Sequence, residues 1–91
     1  MFEKVSKHTV LKEVRDKGVF EGYISPSKVS PEHLVGGWGL GMFVKIKQIG
    51  DNYILVKESG NYPLELYLHM FKMSNCNSEL GYRVRFWREV T

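Results

Sequence analysis

The chain has one cysteine, three prolines and no long apolar run among its 91 residues. Each shortage excludes something. One thiol, Cys76, cannot close an internal disulfide, so the core alone must hold the fold, and a reducing, cytoplasmic setting is expected. Apolar runs stop at lengths such as Tyr53–Val56, far below the roughly 20 residues that span a bilayer, so no membrane partner is expected. The first ten residues carry charges and lack the apolar stretch of a secretory signal. No repeat, low-complexity tract or linker divides the chain. One domain over 1–91 is expected, with an N-terminal part (1–41) ahead of a β-sheet core (42–91).

Assembled chemistry is also missing. His8, His33, His69 and Cys76 are scattered, without the spacing that converges three or four ligands on a metal, so no metal and no cofactor are expected. Cys76 sits in the polar stretch Ser74–Glu79 without a local basic neighbour, which argues against an activated nucleophile. The run Gly36-Gly37-Trp38-Gly39-Leu40-Gly41 lacks the lysine and the serine or threonine of a phosphate-binding loop. The expected protein is not an enzyme.

What is present is a folded composition. The hydrophobic fraction of 43% exceeds what disorder requires, and the net charge of +3 with a pI near 9.1 gives a small basic protein. Between Val5 and Lys17 the apolar residues Val10, Leu11 and Val14 form a short helical stripe, with Gly18 placed to end the helix. Val19–Ile24 reads as a short strand, bulged or at an edge because of Gly22. Ser30-Pro31-Glu32-His33 has the grammar of a short helix start. From Met42 onward the alternation has period two, predicting strands at Met42–Ile49, Tyr53–Glu58, Leu64–Phe71 and Tyr82–Val90. The connections are Gly50-Asp51-Asn52, Ser59-Gly60-Asn61 and Ser74–Glu79.

Five short strands and a helix predict a mainly β, β-rich α+β domain. A small five-stranded antiparallel barrel or strongly bent sheet, OB-like or SH3-like, would solve both the edge and the burial problem. An open sheet with the N-terminal helix across one face is the third solution.

Strand parity then assigns faces. The predicted core is Met42, Val44, Ile46, Ile54, Val56, Leu64, Leu66, Leu68, Met70, Tyr82, Val84 and Phe86, with Arg88 an anomaly on that parity. The opposite face collects Phe43, Lys45, Lys47, Tyr53, Lys57, Glu65, Tyr67, His69, Phe71, Arg83, Arg85, Trp87 and Glu89. Rings interleaved with cations suit single-stranded RNA or DNA, because bases stack on the rings while cations neutralise phosphates. Three readings of that face stand open. It binds nucleic acid, or the N-terminal third covers its rings, or it binds a larger protein, for which the loop carrying Trp38 and Leu40 is a second candidate surface.

The segments MFVKIKQIG, DNYILVKESG, LELYLHMF and ELGYRVRFW, spanning Met42 to Trp87, resemble a cold-shock domain, an OB-fold module that binds single-stranded nucleic acid. The resemblance implies stacking roles for Tyr53, Tyr67 and His69. It also implies a barrel here closed by the N-terminal Val19–Ile24 strand.

Overall fold

The computed structural model describes residues 1–31 and 41–90. Eight elements follow one another: β1 (Phe2–Val5), α1 (Lys7–Lys17), β2 (Val19–Pro26), β3 (Met42–Ile49), β4 (Asn52–Lys57), β5 (Gly60–Pro63), α2 (Leu64–Asn75) and β6 (Val84–Glu89). The strands make one antiparallel sheet in the order β1-β6-β2-β3-β4-β5.

This sheet is open, with β1 and β5 as its edges, and corrects the expected barrel and with it the cold-shock resemblance. The chain meets the burial problem differently. Val10 and Val14 of α1 and Leu64 and Phe71 of α2 pack in one core cluster with Phe20, Ile24, Val44, Ile46, Leu55 and Phe86 of the sheet. Both helices therefore lie on the same face. The edge problem is met by brevity: each edge strand is only four residues long, and β5 ends in Pro63.

α1 lies where the apolar spacing predicts it. Ser6 Oγ accepts from the Thr9 amide at 3.1 Å and caps its start. At its end Gly18, at φ 87°, donates its amide to the Val14 carbonyl.

The predicted strand Leu64–Phe71 is instead the first two turns of α2. Leu64, Leu66, Leu68 and Met70 do alternate, but Leu64, Leu68 and Phe71 also recur at helical spacing, and they are the ones that turn inward. Composition decides between the two periods. Leu64–Asn75 contains no β-branched residue, and seven of its twelve residues are Leu, Met, Glu or Lys, all good helix formers. Leu66 and Met70 consequently stand 53% and 52% exposed, outside the core expected for them.

A second correction concerns β4. Leu55 is fully buried, while Ile54 and Val56, the expected core residues, are only half-buried on the other face. The turn is the cause. Its two central residues are Gly50 and Asp51, so Ile49 faces Asn52 and Ile46 faces Leu55. Counting Asn52 into the turn, as in the sequence reading, slips the register by one residue and reverses every side chain of β4.

Arg88 has a simple explanation. It lies on the helix-covered face at the end of the sheet, where its guanidinium pairs with Glu13 of α1 and lies 3.9 Å from Glu3 of β1. The segment Ser30–His33, Trp38 and Leu40 fall wholly or partly in 32–40, outside the described residues.

Candidate functional site: the uncovered face of the sheet

With both helices on one side, the opposite side of the sheet is defined by the residues that alternate with the core. The pairing arranges them in cross-strand rows. One row runs Lys4, Trp87, Tyr23, Phe43 across β1, β6, β2 and β3. A second contains Glu21, Lys45, Val56 and Asn61, and a third Val19, Lys47, Ile54 and Pro63. Arg85 lies beside Ser25, and Phe2 beside Glu89.

The rings on this face touch one another. Phe2 and Tyr23 meet edge-on at 5.2 Å between centroids, and Tyr23 meets Phe43 at 5.6 Å, also near perpendicular. Such contacts hold the rings in fixed orientations and add about 0.5–1.5 kcal/mol each beyond burial. Of these three rings Phe43 is the most open to solvent, at 52%. Trp87 shares the face but is not a free platform. It is 8% exposed, and its Nε1 donates to the buried Ser25 Oγ at 2.8 Å. That hydroxyl in turn donates to the Val29 carbonyl at 2.6 Å, which fastens the segment after β2 against this corner.

The expected aromatic–basic face is thus divided. Phe43, Lys45, Lys47, Arg85 and Trp87 lie together on the uncovered side. Tyr53, Lys57, Tyr67, His69 and Phe71 do not, because the β4 register is shifted and α2 is a helix. Phe71 is a core residue, 6% exposed. Tyr53 packs against the core and its hydroxyl accepts from Arg15 of α1 at 3.3 Å. Lys57 donates to the Tyr67 hydroxyl at 2.9 Å with its Nζ 5.3 Å from that ring's centroid, so cation and ring serve each other. His69 is exposed on α2, and Arg83 precedes β6.

Sequence reasoning missed Phe2, Lys4 and Tyr23. The signal for Tyr23 was available, since Phe20 and Ile24 flank it with the opposite orientation and parity applies to β2 as well. β1 is too short to announce itself by alternation.

The charge on this face is modest. Lys4, Lys45, Lys47 and Arg85 stand against Glu21 and Glu89, and Lys45 lies 3.7 Å from Glu21. Elsewhere Lys7 pairs with Glu65 and Arg88 with Glu13. The excess positive charge of the sequence is not gathered into one strongly basic surface, which corrects the picture of a basic face.

Cys76 stands at the C-cap of α2. Burial pushes its thiol up, and nearby Lys72 partly offsets this. Among the described residues no three His, Cys, Asp or Glu side chains are grouped to hold a metal ion, and no helix is long and apolar enough to cross a membrane. Comparison with family models, curated proteins and solved structures finds no match.

Proposed function

We propose that the uncovered face of the sheet binds single-stranded nucleic acid, as a non-catalytic module acting in the cytoplasm. The observation that carries this reading is the row Lys4, Trp87, Tyr23, Phe43, with Phe2 beside it and Lys45, Lys47 and Arg85 around it, on the sheet face that neither helix covers. An open antiparallel sheet with rings on its free face can stack bases while lysines and arginines contact phosphates. In this reading Phe43 is the principal stacking ring, Tyr23 and Phe2 orient it, and Lys4, Lys45, Lys47 and Arg85 neutralise backbone charge. With Glu21 and Glu89 on the same face, affinity is modest and sequence preference weak.

The test is fluorescence anisotropy of labelled single-stranded RNA and DNA at several salt concentrations. Phe43→Ala should cost about 1–3 kcal/mol with the salt slope kept. Lys47→Glu should weaken all sequences alike and flatten that slope by about one unit or more. Absence of binding at tens of micromolar protein near physiological salt refutes the reading.

A protein-interaction module is the second reading, favoured by a different surface. Leu66, Met70 and Met73, 53%, 52% and 72% exposed, recur at i, i+4 and i+7 along the solvent side of α2. That is the spacing by which a helix lays an apolar stripe into a partner's groove.

A further inference from the structure

On the helix-covered side a separate cleft of about 400 Å³ opens between α2 and the start of β6. Glu65, Leu68, His69 and Lys72 line it from the helix, and Arg83, just before β6, and Val84, its first residue, from the other side. The four helical residues fall at i, i+3, i+4 and i+7, which is one face, so their side chains point the same way. Six of the eleven other lysines and arginines are engaged. Lys7, Lys45 and Arg88 pair with carboxylates, and Arg15, Lys28 and Lys57 donate hydrogen bonds. The side chains of His69, Lys72 and Arg83 have no ion-pair or hydrogen-bond partner among the described residues, yet they share one cleft. The single carboxylate there, Glu65, is already met by Lys7. The Cys76 thiol lies 3.8 Å from the Arg83 carbonyl, which brings the end of α2 next to the residue that precedes β6.

We propose that this cleft is an anion site for a phosphate group carrying two negative charges, either inorganic phosphate or a phosphomonoester. Arg83 offers a planar fork of donors that matches two phosphate oxygens, and Lys72 a compact charge with three donors. The His69 ring adds an N–H donor beside them. Leu68 and Val84, both half-buried, supply the apolar part of the lining. The two formal charges of Lys72 and Arg83 match a dianion, whereas a monoanion such as chloride would leave one unanswered. This site does not depend on the nucleic-acid reading, because it lies across the sheet from Phe43 and Lys47.

The experiment is a titration with inorganic phosphate at constant ionic strength, followed by amide chemical shifts in the ¹⁵N-labelled protein. Saturable shifts in the millimolar range are expected at Glu65–Lys72 and at Arg83–Val84. The exposed pair Lys72→Glu with Arg83→Glu should weaken binding by at least about tenfold, a loss of about 1.4 kcal/mol. His69→Gln, which keeps a donor, should have a smaller effect. Lys47→Glu, on the other face, should leave the titration unchanged. Circular dichroism and retained amide dispersion verify the fold of each variant. A 5′-phosphorylated oligonucleotide distinguishes the two sources: shifts at lower concentration than inorganic phosphate identify a strand terminus, and equal concentrations identify the free anion. Shifts that follow ionic strength without saturating, or that Lys47→Glu reduces as much as the charge reversals in the cleft, overturn the proposal.

Discussion

Replacing Leu55 by Ala tests both the register of β4 and the packing of the helices in one measurement. Leu55 is fully buried and paired in the ladder with Ile46 and Tyr62, within a cluster that includes Val10, Val14, Leu64 and Phe71. The substitution removes three carbons. At about 0.8 kcal/mol each, the lost transfer free energy is about 2.4 kcal/mol. Flanking strands are held by ladder hydrogen bonds and cannot close the gap fully, so a cavity term adds to this, giving about 3–4 kcal/mol within the usual range for such changes. In a domain this size each kcal/mol moves Tm by about 4–8 °C, so a fall of more than about 12 °C is expected. Leu66→Ala is the paired control. Leu66 is 53% exposed on α2 and alanine is the better helix former, so a change within about 0.5 kcal/mol is expected. Urea unfolding with an unchanged m value reads both directly. A loss at Leu66 equal to that at Leu55 would return Leu64–Phe71 to the sheet and refute the helical assignment.

Two further outcomes follow from local geometry. A Cβ at Gly22 would press on the Trp87 carbonyl oxygen and lie 2.6 Å from the Phe20 ring, so Gly22→Ala should destabilise by about 3 kcal/mol; a neutral variant in thermal unfolding would mean that β2 and β6 pair differently. Because burial raises the Cys76 thiol, less thiolate is present at pH 8 than in an unfolded chain, so Ellman's reagent should react more slowly with the native protein than with the denatured one, and Lys72→Gln should slow it further. Faster reaction in the native state would contradict the burial of the sulfur.

The elements that the sequence made legible were those whose signals agreed with one another. In α1 the apolar stripe and Gly18 both point to the same helix. In β3 the residues Val44 and Ile46 alternate cleanly with Lys45 and Lys47, and both faces are as expected. Legibility failed where two signals competed. Tyr53–Val56 is apolar on both faces, so parity alone could not orient β4, and only the length of the Gly50-Asp51 turn could. In Leu64–Met70 alternation competed with composition, and composition prevailed because leucine, methionine and glutamate gain little from a pleated surface. The two edge strands were unreadable for another reason. At four residues each they hold their place through partners, Glu89 opposite Phe2 and Ile54 opposite Pro63, that local sequence does not disclose. The candidate site inherited these errors. Lys45, Lys47, Phe43, Arg85 and Trp87 kept their side of the sheet, while Tyr53 and Lys57 changed sides with β4, and Tyr67 and His69 left the sheet altogether.

The position of β6 sets the order in which this molecule can come together. It is the last strand in the chain, yet it lies between β1 and β2, which run parallel and never touch. As the polypeptide leaves the ribosome, β2 to β5 can pair as a meander of neighbours. β1 has no edge to join until residues 84–89 arrive, more than 80 positions after it. Until then Ile24 and Phe20 lack the cover of Phe86, and the backbone edge of β2 stands unpaired. Closing that seam is a long-range event, slow by the measure that relates folding rate to sequence separation. A nascent chain that has released Gly60–Pro63 but not yet Val84–Glu89 therefore presents a sticky, half-finished sheet, and a ribosome stalled before Val84 would leave two elements, β1 as well as β6, missing from it.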